Sequence, residues 1–170
     1  MKPIFRSMAA AAFLLGAGTA GLAPAYVLAP TEPEYVKECG SCHMAFSSEL
    51  LPAASWRKVM GGLDKHFGDT AKSDPATEAR ITEYLVAHSA DRAPSDESRA
   101  IMASIHGDAP LRITDVPYIA ELHKAVLDPL WNGRPRPNRL TECGVCHRKA
   151  EKGDYRSKSF TVSDEAFRGK

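Results

Sequence analysis

Apolar residues recur along much of the chain at the three- and four-residue spacing of an amphipathic helix, and no segment alternates convincingly as a strand would. The segment 55–67 carries such a stripe, with apolar residues at Trp56, Val59, Met60, Leu63 and Phe67. Asp74 followed by Pro75 is typical of a helix start and predicts a second helix that runs to about His88. The pattern therefore predicts a mainly α protein.

The second half of the chain contains shorter helical patterns separated by polar or proline-rich stretches. The segment 89–99 is polar, contains a proline and is the best candidate for a linker. A short helix is predicted over 100–105. Asp115 can cap a further helix, which Pro129 is expected to end. The remainder, including the polar tail over 153–170, is predicted to be irregular.

The first 25 residues have the features of a signal peptide. Lys2 and Arg6 form a basic start, the segment 8–22 is apolar, and Ala23 and Ala25 supply small residues before a cleavage site. A retained membrane anchor is the alternative, but the apolar stretch is shorter than the roughly 20 residues that a span needs. We therefore predict periplasmic export without stable membrane insertion. The predicted organisation is a signal peptide over 1–25, an N-terminal domain over 26–92 and a C-terminal domain over 93–170.

Composition excludes several classes of protein. Of the 170 residues, 44% are hydrophobic and 25% are charged, which rules out disorder, collagen and a multi-span membrane protein. The net charge of +1 gives no basic footprint for nucleic acid. Because only 8% of the residues are aromatic, a core made of protein alone would be modest, and a cofactor could help to fill it.

Four cysteines fall in two short motifs that bear on cofactor binding. Two disulfides would be the ordinary expectation for an exported chain, but Cys39 and Cys42 are followed by His43, and Cys143 and Cys146 are followed by His147. The C-x-x-C-H motif is typical of c-type haem attachment. The two thiols can form thioether bonds to one haem, and the histidine then binds its iron from one side. The sequence therefore predicts two covalently bound haems.

Two other kinds of cysteine site are disfavoured. A zinc ribbon needs its cysteine pairs about 15–20 residues apart, and it does not need the histidines. The two motifs here begin 104 positions apart. A thioredoxin-like redox pair needs a βαβ context, which the chain does not show.

The sixth ligand of each iron distinguishes a carrier from a catalyst. His66 is predicted to lie on the apolar face of the 55–67 helix, where an iron could bind its ring. Met60 and Met102 are the alternatives. No methionine or histidine follows His147, so a ligand of the usual kind for the second iron must come from upstream.

Two histidines are candidates for that second iron. His123 is predicted to face inward from its helix, four residues after Ile119. His106 is the weaker alternative, because it precedes Gly107 and is expected at a helix end. His88 ends its own helix and is expected to be partly exposed.

Taken together, these segments resemble the dihaem cytochrome c family of bacterial periplasmic electron carriers. The resemblance spans about 35–160. It rests on ECGSCHMAF at 38–46, LLPAASW at 50–56, MGGL at 60–63, HFG at 66–68, I-x-x-Y-L at 81–85, LRITDVPY at 111–118, CGVCH at 143–147 and KAE-x-G at 149–153.

The resemblance implies two histidine ligands for each iron: His43 and His66 for the first haem, and His147 and His123 for the second. It also implies an N-terminal haem domain like a class I cytochrome c, closed by the helix that contains the 81–85 segment. An irregular, loop-rich C-terminal haem domain would follow.

The implied function is electron transfer between redox partners, without catalysis. Relatives are associated with a small monohaem cytochrome that binds oxygen or nitric oxide, and sometimes with a membrane b-type cytochrome. Two imidazoles would leave an iron no vacant position for a substrate and give it a lower reduction potential than histidine with methionine. Two other functions remain as alternatives: a haem protein with one open or labile iron, and a dihaem subunit of a larger periplasmic reductase.

Overall fold

The computed structural model describes residues 27–131 and 143–156. The predicted signal peptide, the proline-rich segment before the second motif and the end of the predicted tail lie outside these ranges. The described chain is mainly helical and contains no β-strand, as the sequence pattern predicts. Its α-helices are α1 (Pro33–Cys39), α2 (Ala53–Gly61), α3 (Pro75–Ala87), α4 (Asp96–Ser104), α5 (Pro117–Trp131) and α6 (Cys143–Cys146). Short 3₁₀ helices lie at Ser48–Leu50, Leu63–Lys65, Ile113–Asp115 and Ala150–Lys152.

Helix α3 begins and ends where the sequence predicts. The Asp74 carboxylate accepts hydrogen bonds from the backbone N–H groups of Ala76 and Thr77, at 3.1 and 3.0 Å. These bonds satisfy two of the amide groups that a helix start leaves unpaired. At the other end, the backbone N–H of His88 donates to the Tyr84 carbonyl and closes the last turn.

The helix predicted over 55–67 is too long. Helix α2 ends at Gly61, because Gly61 and Gly62 are poor helix formers. The N–H of Gly62 donates to the Val59 carbonyl, and a 3₁₀ turn over Leu63–Lys65 follows. His66 therefore lies beyond this turn, and its expected position on the face of a long helix is wrong.

The predicted linker over 89–99 is also wrong in extent. Its first residues pack on the core: Ser89 and Ala90 are buried, and the Ala90 N–H donates to the Leu51 carbonyl at 3.0 Å. Its last residues belong to α4, which starts after Ser95 because the Ser95 hydroxyl accepts the Ser98 N–H.

Helix α5 differs from its prediction at both ends. Asp115 belongs to the preceding 3₁₀ turn rather than to a cap, and the helix starts at Pro117. Pro129 does not end the helix, which continues to Trp131. Pro129 removes one backbone hydrogen bond, and the helix continues past it to the last described residue of this range.

The hydrophobic core draws residues from both halves of the chain. Its most completely buried large side chains come from the segment before α1, the loop before α2, helices α3 and α4, and the residue just before α5: Val27, Leu51, Ile81, Leu85, Ile101 and Val116. The core thus extends across position 92, and the division into domains at 92 and 93 stays a prediction.

The two ends of the described chain meet. The Val27 N–H donates to the Gly153 carbonyl at 3.1 Å, and Val27 is 1% exposed. Gly153 has a φ of 71°, which favours glycine, and a Cβ atom there would collide with the Val27 carbonyl oxygen.

Within residues 27–131 and 143–156, no helix is long and apolar enough to cross a membrane.

Candidate functional site

The first motif follows directly from the end of α1. Cys39 is the last residue of this helix, and the Gly40 N–H donates to the Val36 carbonyl at 3.0 Å. A side chain at position 40 would collide with that carbonyl, so the glycine lets the chain turn sharply between the two cysteines. After this turn, Cys42 lies close enough to Cys39 to contribute to the raised pKa of the Cys39 thiol.

Two neighbours fix the ring of His43. Its Nδ1 lies 2.7 Å from the Met44 carbonyl oxygen, and the ring stacks on Phe46 with centroids 4.9 Å apart. Because a carbonyl can only accept, Nδ1 carries the proton. The other nitrogen, Nε2, is then the one free to bind a metal.

His66 faces His43 across a gap of defined width. The two ring centroids are 6.2 Å apart and the ring planes are within 20° of parallel. Imidazole nitrogens bind first-row metals at about 2 Å, so two imidazoles on opposite sides of one metal have centroids about 6 Å apart. Burial lowers the pKa of His66, and the nearby His43 and Arg112 lower it further, so its ring favours the neutral, metal-binding form.

The second motif forms the short helix α6. The His147 N–H donates to the Cys143 carbonyl at 2.7 Å, which places the histidine at the end of this turn. Its ring lies edge-on to Tyr155, with centroids 5.5 Å apart. The buried Nδ1 of His147 lacks a well-formed hydrogen bond, although the backbone of Tyr155 is close enough to act on its pKa. The pKa of His147 is lowered overall. Burial is the largest cause, and the nearby His123 adds to it.

His123 on α5 meets His147 at a similar distance. The ring centroids are 5.9 Å apart, and the ring planes are at 78°, close to perpendicular. The His123 Nδ1 lies 2.7 Å from the Ile119 carbonyl oxygen one turn earlier in the helix, which again leaves Nε2 free. The structure therefore contains two facing imidazole pairs, here called the first histidine pair (His43 and His66) and the second histidine pair (His123 and His147).

Of the alternative ligands, Met60 is buried in the hydrophobic core, and Met102 packs against that core. His106 is exposed after the end of α4. His88 is occupied locally, since its Nδ1 lies 2.9 Å from the Tyr84 carbonyl oxygen.

The four cysteines of the two motifs are free thiols. Burial raises the pKa of Cys39 and of Cys143 to about 11, whereas a redox-active cysteine needs a lowered pKa. No group of three or more histidine, cysteine or carboxylate side chains that could hold a metal ion occurs in the described ranges.

Each site therefore offers two adjacent thiols and two imidazoles separated by the thickness of one bound metal. This donor set fits a haem held by two thioether bonds and two axial histidines. A family model for dihaem cytochrome c matches residues 35–155. The chain belongs to the dihaem cytochrome c family.

Solved structures agree with this assignment. The dihaem cytochrome from Rhodobacter sphaeroides is similar, with 37% identity, a TM-score of 0.65 and coverage of 75% of this chain and 99% of that one. The new dihaem c-type cytochrome from Shewanella baltica OS155 is 36% identical, with a TM-score of 0.55 and coverage of 73% and 86%. No curated protein matches the chain.

This dihaem cytochrome c carries two haem c groups with their irons and acts as an electron carrier. The resemblance inferred from the motifs, the mainly α fold and the two haems are thus confirmed. The assignment of individual residues as thioether sites and iron ligands stays a prediction, which the geometry of the two histidine pairs supports.

Several residues that contact the histidine rings have no site motif in the sequence. Phe46 and Phe67 contact the first pair, Arg112 lies over Phe67, and Tyr155 contacts the second pair. Phe46 and Phe67 stand within three residues of a candidate ligand, which is a weak local signal. Arg112 and Tyr155 reach the rings through tertiary contacts, so no local pattern could have identified them.

Proposed function

We propose that this protein is a one-electron carrier in which each haem iron is closed by two histidines. His43 and His66 would bind the first iron, and His147 and His123 the second. Cys39, Cys42, Cys143 and Cys146 would form the thioether bonds. The observation that carries this proposal is the spacing of the two histidine pairs, 6.2 and 5.9 Å between ring centroids.

The backbone of the chain prepares two of these rings for metal binding. The carbonyls of Met44 and Ile119 accept the Nδ1 protons of His43 and His123. Such hydrogen bonds fix the tautomer and the ring orientation and make the ligating nitrogen more basic. Small reorientation of the rings during a redox cycle favours fast electron transfer.

Bound haem supplies the one-electron iron couple, and the ligand set determines how it is used. Two protein ligands on each iron leave no position for oxygen, peroxide or another substrate, so the protein would have no catalytic activity of its own. Replacing a methionine ligand by histidine also lowers the reduction potential. We therefore place this protein among carriers that work at lower potentials than cytochromes with histidine and methionine ligands.

The proposed location is the periplasm, after removal of residues 1–25. The basic start, the apolar segment and the small residues at 23 and 25 support export. N-terminal sequencing of protein isolated from a periplasmic fraction should begin at Tyr26. Protein that kept its first 25 residues and sedimented with membranes would contradict this location.

The proposed partners are a small monohaem oxygen-binding cytochrome and a membrane b-type cytochrome. Membership of the dihaem cytochrome c family supports them, through the resemblance stated above. Stopped-flow mixing of the reduced protein with an oxidised candidate cytochrome would measure transfer directly. An observed transfer rate that does not increase with partner concentration would contradict direct transfer in an encounter between the two proteins.

Carbon monoxide binding by the reduced protein tests the proposed ligands. The wild-type absorption spectrum should not change when carbon monoxide is added. In His66→Ala and in His123→Ala, carbon monoxide should bind to one of the two haem irons, and in the double variant it should bind to both. His106→Ala is the matched control: because His106 is exposed, this variant should not bind carbon monoxide.

Two results would contradict the proposal. Carbon monoxide binding to half of the wild-type haem would mean that one iron has a weak or missing sixth ligand, and a gas-binding function would then gain support. If carbon monoxide left the spectrum of His123→Ala unchanged but changed the spectrum of His106→Ala, the second iron would be bound by His106 instead of His123.

A further inference from the structure

The turn that presents His66 contains a backbone conformation that its sequence does not favour. His66, Phe67, Gly68 and Asp69 form a tight turn, closed by a hydrogen bond of 3.1 Å from the Asp69 N–H to the His66 carbonyl. The φ angles of Phe67 and Gly68 are 52° and 113°. Two central residues with positive φ are typical of the turns that favour asparagine, aspartate and glycine.

A phenylalanine at the first of these central positions is an outlier. It is the one non-glycine residue with positive φ in the described ranges, and a bulky side chain there is strained. Backbone strain of this kind is typical of functional sites.

The contacts of the Phe67 ring indicate what that function is. The ring meets His66 edge-on, with centroids 4.8 Å apart and planes at 63°. Its other contact is the Arg112 guanidinium, whose Cζ lies 4.0 Å from the ring centroid. This distance is within the range of a cation–π interaction. The phenylalanine is therefore held between the candidate ligand and a cation that comes from a distant part of the chain.

We propose that Phe67 is a positioning residue that fixes the plane of the His66 ring on the first iron. Arg112 holds the Phe67 ring in place, and the Phe67 ring restrains His66 within 20° of the plane of His43. The inference rests on the proposed ligation of the first iron by His43 and His66. Asparagine or glycine would suit the turn better, but neither could make this ring contact with His66.

The relative orientation of two axial imidazoles has a spectroscopic signature. Parallel planes split the iron orbitals strongly and give an ordinary rhombic low-spin electron paramagnetic resonance (EPR) spectrum. Perpendicular planes bring two of these orbitals close in energy and give one very large g value. With planes at 20° and 78°, the oxidised protein should show one signal of each kind.

Phe67→Asn is the decisive variant, because asparagine suits the turn but removes the ring. We expect the rhombic signal of the first haem to broaden or to move toward a larger maximum g value. The signal of the second haem should stay unchanged and serves as an internal control. Because the variant relieves strain, the melting temperature should not fall, which separates lost positioning from lost folding.

Two further variants complete the test. Phe67→Tyr keeps the ring and should keep the wild-type spectrum. Arg112→Gln removes the cation over the ring without touching the turn, and it should broaden the first signal less than Phe67→Asn does. An unchanged first signal in Phe67→Asn would overturn the proposal even if both irons keep two histidines. A wild-type spectrum without low-spin signals would overturn the ligation itself, and this inference with it.

Discussion

Replacing Ser95 by alanine should destabilise the protein through two losses at one hydroxyl. The Ser95 hydroxyl accepts the Ser98 N–H at 3.1 Å and so caps α4. It also lies 2.7 Å from a carboxylate oxygen of Glu49, whose residue is only 6% exposed. The contact joins α4 to the 3₁₀ turn at Ser48–Leu50, which leads into α2.

The expected cost combines a helix cap with a hydrogen bond to a buried charge. Loss of a serine cap costs about 1 kcal/mol, and loss of a hydrogen bond to a charged group costs about 1.5–3 kcal/mol. The Ser98 hydroxyl, 3.3 Å from the same carboxylate oxygen, can take over part of the lost interaction. We therefore expect Ser95→Ala to lower the free energy of unfolding by about 2–4 kcal/mol.

Denaturant unfolding of the holoprotein, followed by far-ultraviolet circular dichroism, measures this change. Ser95→Thr keeps a hydroxyl that can cap and is the matched control. A double-mutant cycle with Glu49→Gln isolates the contact between the two side chains, and the two effects should not be additive. A loss below about 0.5 kcal/mol, the size of an ordinary surface substitution, or a fully additive cycle would refute the reasoning.

Two further predictions concern hydrogen bonds made by residues of α2. Burial raises the pKa of the Asp91 carboxyl. Its hydrogen bonds outweigh this effect and lower the pKa overall, the largest contribution coming from the bond of 2.8 Å that it accepts from the Ala53 N–H. The stability that Asp91 adds is therefore present above the unfolded pKa of about 3.9 and lost as pH falls through the lower folded value. When the free energy of unfolding is measured from pH 6 to pH 2, it should fall less steeply with pH in Asp91→Asn than in the wild type. An equally steep fall in the two proteins would contradict this prediction. Trp56→Phe removes the indole N–H that donates to the Ser48 carbonyl at 2.7 Å, so it should cost about 1–3 kcal/mol in denaturant unfolding. A change within about 0.5 kcal/mol would mean that the carbonyl finds another donor.

The chemistry of the two motifs could be predicted because it is local. A C-x-x-C-H motif carries its thiols and its proximal histidine within five residues, so His43 and His147 needed no knowledge of the fold. The partner histidines are distant in sequence. From the residues alone, His123 and His106 both remained open, and only the family resemblance and the structure favour His123.

The errors in helix ends have a common physical origin. An apolar stripe reports which positions face the core, and it does not report where the backbone stops being helical. The stripe over 55–67 continues through Gly61 and Gly62, where helix propensity is lowest, into a 3₁₀ turn that still buries Leu63. The polar composition of 89–99 likewise concealed two buried residues, Ser89 and Ala90. In both places, tertiary packing decides the structure.

The contact between Val27 and Gly153 has a consequence for the order of events during folding. It joins residues from opposite ends of the described chain, and contacts of such large sequence separation carry a high loop-closure entropy. They form only after most of the chain is available. The chain between positions 27 and 153 contains both C-x-x-C-H motifs, so this single contact closes a loop around both candidate sites. We therefore expect it to be among the last contacts to form during folding.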